Sequence, residues 1–319
     1  MKSPGKTQIK KIVNIAGNAL AVISLAFVSY QVVQKAEQIK DYFSVRLLPV
    51  GFFAVLLCSF TIFINSKVFT YILSLFTDRT PDFSAAAPIY IKTNLYKYLP
   101  GNVMHYIGRD QLTVITGINH SDILMASLIE ICFSAFSALC TGMVLSGKHI
   151  IAYIADTFEK KTIGIAAAGI VFVFISIVIL LYYKRSLFKQ FISEHFTKNK
   201  TINLCRALLM NLLCSFINGF VFTVLLFSFL YPNIPISLFP TIAGISIIAW
   251  LIGFITPGSP GGLGVRELML SILLSGIPGA DAIPACAIFY RIVTTAGDII
   301  AFLVSLLFYR HASVDTPQE

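Results

Sequence analysis

The sequence predicts an all-α polytopic membrane protein, and three observations carry that prediction: the share of apolar residues, the recurrence of long uncharged runs, and the clustering of basic residues between those runs. Of the 319 residues, 56% are hydrophobic and 12% are charged, with a mean hydropathy of +0.81. Soluble domains hold roughly 45 to 50% apolar residues, so a fold in water would leave much of this side-chain area uncovered. Runs of about 18 or more apolar residues are long enough to cross a hydrocarbon core of about 30 Å as helices. In lipid every backbone polar group must be satisfied internally, which a helix does by itself.

The first element is an apolar run near 12 to 32, preceded by Lys2, Lys6, Lys10 and Lys11. It has no clear small-x-small cleavage site, so it reads as an uncleaved anchor with a cytoplasmic N-terminus. Further spans are expected near 47 to 65, 122 to 146, 162 to 183, 204 to 230, 238 to 255 and 281 to 309, giving about seven or eight crossings in a single transmembrane domain over 1–319. The connection from 184 to 206 sets Lys184, Arg185, Lys189, Lys198, Lys200 and Arg206 against Glu194 alone and is therefore assigned to the cytoplasm. The uncharged loop from Tyr231 to Ser237 suits the outer side. Leu187, Phe188, Phe191, Ile192 and Phe196 recur at helical spacing, as in a short helix lying on the inner leaflet; an ordinary loop accounts for them equally well.

The net charge of +9 follows from these loops, so nucleic acid is not an expected partner. Cys58, Cys132, Cys140, Cys205, Cys214 and Cys286 lie inside apolar stretches with no Cys-x-x-Cys pair, and read as small packing residues. His-Glu-x-x-His, Gly-x-Ser-x-Gly, P-loop and Asp-x-Asp patterns are missing, and the five histidines lack metal-ligand spacing. No catalytic residue, metal or cofactor is expected. Asn119-His120-Ser121 matches a glycosylation sequon of a kind common by chance.

Two stretches, 81 to 120 and 256 to 280, are broken by Pro, Gly and charge, and each contains an apolar piece too short to cross. Non-helical backbone at membrane depth is tolerated where protein or a watery cavity satisfies it, so both are candidates for re-entrant segments. Pro100-Gly101 is followed nine residues later by Arg109-Asp110, and Pro257-Gly258 nine residues later by Arg266-Glu267, at an offset of 157. This spacing predicts an internal duplication, with one half about 1–160 and the other about 161–310. Interrupted segments at matching positions of two halves form the binding site of many transporters. Counting spans puts both segments on the cytoplasmic side.

In the second segment Gly258, Gly261, Gly262 and Gly264 precede a helix expected to start near Val265. Free N–H groups in such a loop and at a helix N-terminus suit an anion, and Arg266 adds a planar fork matched to phosphate. Alternatively the glycines serve close packing, with Arg266 paired to Glu267 or snorkelling outward. The first segment offers Arg109 and Asp110 with His105, Tyr90, Tyr96, Tyr98 and Tyr106, although tyrosines at this density also mark an interface belt. Within the spans Glu130, Arg291 and Asp298 would each cost roughly 2.5 to 3.5 kcal/mol at the bilayer centre, so each must face the bundle interior and find a partner. Arg291 and Asp298 share a helix face and can point at one cavity; a structural Arg291–Glu130 pair is the alternative.

Tyr98-Leu-Pro-Gly-Asn-Val-Met-His105 with Gly108-Arg109, then Thr256-Pro-Gly-Ser-Pro-Gly-Gly-Leu-Gly-Val-Arg-Glu267, then Tyr290-Arg291 with Gly297, resemble the landmarks of the flippase-like family, also called the lysylphosphatidylglycerol synthase transmembrane region. The likeness covers essentially the whole chain, and its second block is the most specific. It implies a stand-alone member: the lipid-handling half without aminoacyl transfer, in the bacterial cytoplasmic membrane and engaged in cell-envelope biogenesis. The expected ligand is a phosphate-bearing lipid, either a phospholipid or a polyprenyl-phosphate-linked one. Arg109, Arg266 and Arg291 would receive its phosphate, with Asp110, Glu130, Glu267 and Asp298 as charge partners. Two other readings stand beside this one: a non-catalytic scaffold or subunit for an envelope glycosyltransferase or lipid-modifying enzyme, and a lipid-modifying enzyme in its own right.

Overall fold

The computed structural model describes residues 47–77, 83–98, 104–157, 197–230, 234–256, 262 and 264–314. The expected spans at 12–32 and 162–183, the stretch 187–196, and Pro100-Gly101, Pro257, Gly258 and Gly261 lie outside the described residues. The described residues are helical, with no strand among them. In chain order the helices are α1 (Leu47–Leu73), α2 (Phe83–Asn94, extended by a 3₁₀ turn Leu95–Tyr98), α3 (Met104–Gly108), α4 (Gln111–Thr116), α5 (His120–Thr157), α6 (Lys198–Leu230), α7 (Phe239–Ile255), α8 (Val265–Leu273) and α9 (Ile283–Val314). By length and composition five described helical stretches can cross a membrane: α1, α5, α6, α7 with its preceding turn, and Ala280–Leu307 within and just before α9.

Several helices outrun their hydropathy. α1 continues past Asn65, Ser66 and Lys67, and α5 past Lys148 and His149, because i→i−4 hydrogen bonding needs no apolar side chains. Lys67 extends α1 beneath an aromatic lid, with its ammonium 5.1 Å from the ring centres of both Tyr71 and Phe83. Hydroxyls inside the spans are satisfied locally. Thr61, Ser127, Ser146 and Thr223 donate to the carbonyls of Cys58, Ile123, Gly142 and Gly219 in their own helices.

The central pair is α1 and α6, which run antiparallel. Cys214 Sγ contacts Thr61 O at 3.8 Å, Asn203 Nδ2 donates to Ser74 Oγ at 3.1 Å, and Lys200 Nζ donates to Leu75 O at 3.1 Å. At the other end Ala54 and Cys58 share a core cluster with Val221, Phe222, Leu225 and Leu226. α9 runs alongside α1 in the same direction, with Gly51 against Phe289 and Gly297 against Cys58.

Between the long helices the chain folds back on itself. It leaves α6 at Leu230 and is beside Leu230 again at Gly279, so α7 and α8 are the two arms of a hairpin. The first segment behaves alike: Phe76 and Phe83 before it and Ile118 and Ile123 after it pack in one cluster. Since α1 and α6 are antiparallel, the two hairpins start from opposite ends of the bundle.

A helix boundary repeats at the 157-residue offset: adding it to Thr116, the last residue of α4, gives Leu273, the last residue of α8. The packing exchanges in the same way, with α5 along α7, α9 along α2, and α1 against α6.

Close approach of backbones holds this bundle together, as small residues do in membrane helices generally. A Cβ added to Gly297 would lie 2.7 Å from Cys58 Cβ and 3.0 Å from Ser59 N, both on α1. The neighbouring atoms belong to a backbone and a short side chain, and neither can swing aside. Gly297→Val is therefore expected to cost about 1 to 3 kcal/mol or more by overpacking, read as a lower melting temperature in detergent. Gly147→Ala, where the nearest atom is the flexible Met143 Cε at 3.6 Å, should leave the melting temperature unchanged or raise it.

Candidate functional site

The polar side chains of the bundle fall into four groups, three of them internally matched. In the first, Arg109 lies between α3 and α4 with only 2% of its surface exposed, and its guanidinium meets the Glu130 carboxylate on α5 through Nη1. Nη2 reaches the other carboxylate oxygen at 3.5 Å, and Tyr90 OH donates to that oxygen at 2.5 Å. Three rings enclose the guanidinium, with centres at 4.7 Å for Phe69, 4.3 Å for Tyr90 and 5.0 Å for Tyr106. The pair is buried and stacked. His105 beside it is held well below the ordinary histidine value, first by burial and then by the charges of Arg109 and Lys97.

The second group centres on Asp298, 3% exposed in the middle of α9. It accepts from Tyr98 OH at 2.5 Å and Asn94 Nδ2 at 3.1 Å and pairs with Lys97 Nζ at 2.7 Å, so α9 is tied to the end of α2. Thr295 Oγ1 donates to the same tyrosine oxygen at 3.2 Å.

In the third group Arg291 Nε donates to Glu267 Oε1, joining α9 to the start of α8. Gly264 N–H donates to Glu267 Oε2 at 2.7 Å, so this carboxylate also closes the first turn of α8. Burial alone would raise the Glu267 pKa, but the Arg291 guanidinium outweighs it and holds the carboxyl below its ordinary value. Asp110 sits outside these groups, on the surface, where His120 Nδ1 contacts it at 2.5 Å.

Arg266 makes the fourth group and is different. It is 8% exposed, its guanidinium covers the ring of Tyr290 at 4.3 Å, and among the described residues no carboxylate forms an ion pair with it. Its Nε is buried without a hydrogen-bond partner among them, as are Arg109 Nε and Arg291 Nη2, so it is the missing ion pair that sets Arg266 apart. Arg266 lines a cavity of about 80 Å³ whose wall is mixed, with several polar side chains among apolar surface. α6 presents Asn211, Ser215 and Asn218 to this cavity, Asn65 and Ser134 come from α1 and α5, and Ser246 and Trp250 from α7. Tyr290 OH contacts Asn218 O at 3.3 Å, which fixes the ring under Arg266.

Gly264 has φ 82° and Gly262 φ 72°, a backbone region glycine enters freely. A Cβ on Gly262 would also come within 3.2 Å of Gly253 Cα, so Gly262 lets its own backbone lie flat on α7. This matches the packing alternative for that glycine.

Of the candidates read from the sequence, Arg109 and Glu130 meet each other, as do Arg291 and Glu267. The alternative Arg291–Glu130 pair is not formed, because Glu130 is engaged by Arg109. Arg291 and Asp298 line different groups and neither borders the cavity. Asn65, Asn211, Asn218 and Trp250 were not singled out, yet Asn211, Ser215 and Asn218 recur at helical spacing inside an apolar span, a polar stripe visible in the sequence.

No family model matches the chain, nor does a curated protein or a solved structure.

A buried pair that loses one partner leaves an uncompensated charge. Glu130→Ala is expected to cost about 3 to 5 kcal/mol, and the double variant Arg109→Met with Glu130→Leu to regain most of that, both measured by thermal melting in detergent. Acid should also destabilise the fold. The folded pKa values of His105 and Glu267 both lie below their ordinary 6.5 and 4.5, so stability is complete above the higher value. It falls first as unfolded His105 takes up a proton, and again as pH drops through the Glu267 range. Melting temperature followed from about pH 8 to about pH 4 checks the sign: it should decline on acidification, and His105→Gln should remove the upper limb.

Proposed function

We propose that this chain is a lipid translocase of the flippase-like kind, an inverted repeat with two re-entrant hairpins in which Arg266 receives the phosphate of a lipid headgroup. One observation carries the reading: a buried arginine without an ion-pair partner among the described residues, facing a cavity of mixed polar and apolar wall inside an apolar bundle. A buried cation without an ion-pair partner is costly, and an anionic ligand relieves the cost that the Glu267 carboxylate, shared with Arg291, leaves. A guanidinium presents paired donors that fit phosphate oxygens.

The repeat supports the same reading. Two halves related by an offset of 157, with their first helices antiparallel, are the arrangement in which a central site is exposed to each side in turn. The site residues read from the sequence then divide by role. Arg266 is the phosphate receptor. Arg291–Glu267 sets the start of α8, which carries Arg266, and Arg109–Glu130 and Lys97–Asp298 hold the first hairpin against α5 and α9. The lipid is a phospholipid or a polyprenyl-phosphate-linked carrier of the bacterial cytoplasmic membrane, and the family likeness of the Pro-Gly-Gly-Leu-Gly-Val-Arg-Glu block agrees with this.

Proteoliposomes carrying headgroup-labelled lipids test it, with label in the inner leaflet read by its loss to an impermeant quencher. The native protein should accelerate that loss. Arg266→Gln, verified as folded by melting, should slow it about ten- to a hundred-fold, the worth of about 1.5 to 3 kcal/mol for a charged hydrogen bond. Absence of acceleration by the native protein for both labelled phospholipids and polyprenyl phosphates would sink the proposal.

A further inference from the structure

The geometry points to a headgroup class: a phosphate ester of an uncharged, hydroxyl-bearing alcohol, such as a polyol phosphate, in preference to one bearing an ammonium. This rests on Arg266 as the phosphate receptor and is carried by what lines the rest of the cavity.

Beyond Arg266 the described lining holds no charged side chain. It presents the carboxamides of Asn65, Asn211 and Asn218 and the hydroxyl of Ser134. Each carboxamide has two donor hydrogens and an acceptor oxygen, the complement of a hydroxyl group, which both donates and accepts. Asn211 Nδ2 donates to Ser134 Oγ at 3.3 Å and Asn218 Nδ2 to Cys214 O at 2.8 Å, so these two amides are already oriented.

An ammonium finds less. A primary one can donate to the carboxamide and hydroxyl oxygens, but the described lining offers no carboxylate to balance its charge, and a quaternary one has no N–H to donate. The two aromatic residues of the lining are already engaged. Arg266 covers Tyr290 at 4.3 Å, and Trp250 stacks on Phe254 with centres 5.0 Å apart and planes at 11°. Arg266 itself repels a second cation.

Size is matched to the phosphate. At about 80 Å³ the cavity has room for roughly two or three water-sized groups at about 30 Å³ each. That is about one phosphate group, with the rest of the headgroup at its mouth and the acyl or prenyl chains left outside among the helices.

The two arginines of the Arg-acidic pairs differ in what surrounds them. At the 157-residue offset Arg109 corresponds to Arg266, but Glu130 corresponds to Ala287. The first arginine is neutralised within its own half. The second is left for a ligand.

Trp250 is the single tryptophan of the chain and borders the cavity, so its fluorescence reports occupancy directly. Purified protein in detergent would be titrated with dihexanoyl lipids that differ only in headgroup: phosphatidylglycerol, phosphatidic acid, phosphatidylethanolamine and phosphatidylcholine. Inorganic phosphate and glycerol phosphate distinguish lipid-bound from free phosphate. Binding would be read by Trp250 emission and by the rise in melting temperature. Phosphatidylglycerol should bind about two- to ten-fold more tightly than phosphatidic acid, and more tightly still than the two amine lipids. In folded Asn211→Leu or Asn65→Leu protein that advantage should shrink while phosphatidic acid still binds. Equal or tighter binding of the amine lipids overturns the headgroup inference and leaves the phosphate reading standing. Failure of every ligand to change either signal, or binding that survives Arg266→Gln, overturns the phosphate reading itself.

Discussion

A charge inside a lipid-bounded bundle has no water to turn to, and the organisation of this chain follows from how each buried charge is matched. Arg109 meets Glu130 under three aromatic rings, Asp298 gathers Lys97, Tyr98 and Asn94, and Glu267 divides its two oxygens between Arg291 and the Gly264 amide. Each match joins a short helix of a broken segment to a long helix. The pairs therefore act as ties for elements too short to be anchored by apolar burial alone. They also set the one departure from the pattern in relief, since Arg266 has an aromatic ring beneath it and a cavity before it but no described carboxylate.

Glycine does the complementary task. The α9–α1 contact needs backbones closer than a side chain permits, and Gly297 makes it possible. Gly219 does the same where α6 meets α7, with Ala243 O only 2.9 Å from where a Cβ would stand. Apolar side chains turned outward, such as Phe52, Leu209 and Leu303, suit acyl chains as their solvent. Cohesion then comes from dense packing of small residues and from polar ties.

Much of the architecture was legible in the sequence. The spans beginning near 47, 204, 238 and 281 correspond to helices, and the start of α8 at Val265 followed from the glycines before it. Helix ends were less legible, because hydropathy falls at Asn65 and Lys148 while backbone hydrogen bonding continues. Of the candidate site, the ionisable residues inside the spans were rightly expected to need partners, since membrane insertion makes each one costly. Which partner each would take was not legible. Arg291 could have met Glu130 or Glu267, and only the folding back of α8 onto α9 brings Glu267 within reach.

What the sequence determined by itself was the class of protein, the interruption of its hydrophobic runs, and the spacing of 157 that two Arg-acidic pairs share. These depend on composition and on near neighbours along the chain. Tertiary structure decided the rest: that the hairpins enter from opposite ends of the α1–α6 pair, that three of the buried charge groups close on themselves, and that Arg266 faces the cavity. The physical reason is that charge neutralisation is a property of contacts between distant segments. Residues as far apart as Lys97 and Asp298 become one ion pair only when the helices carrying them pack together.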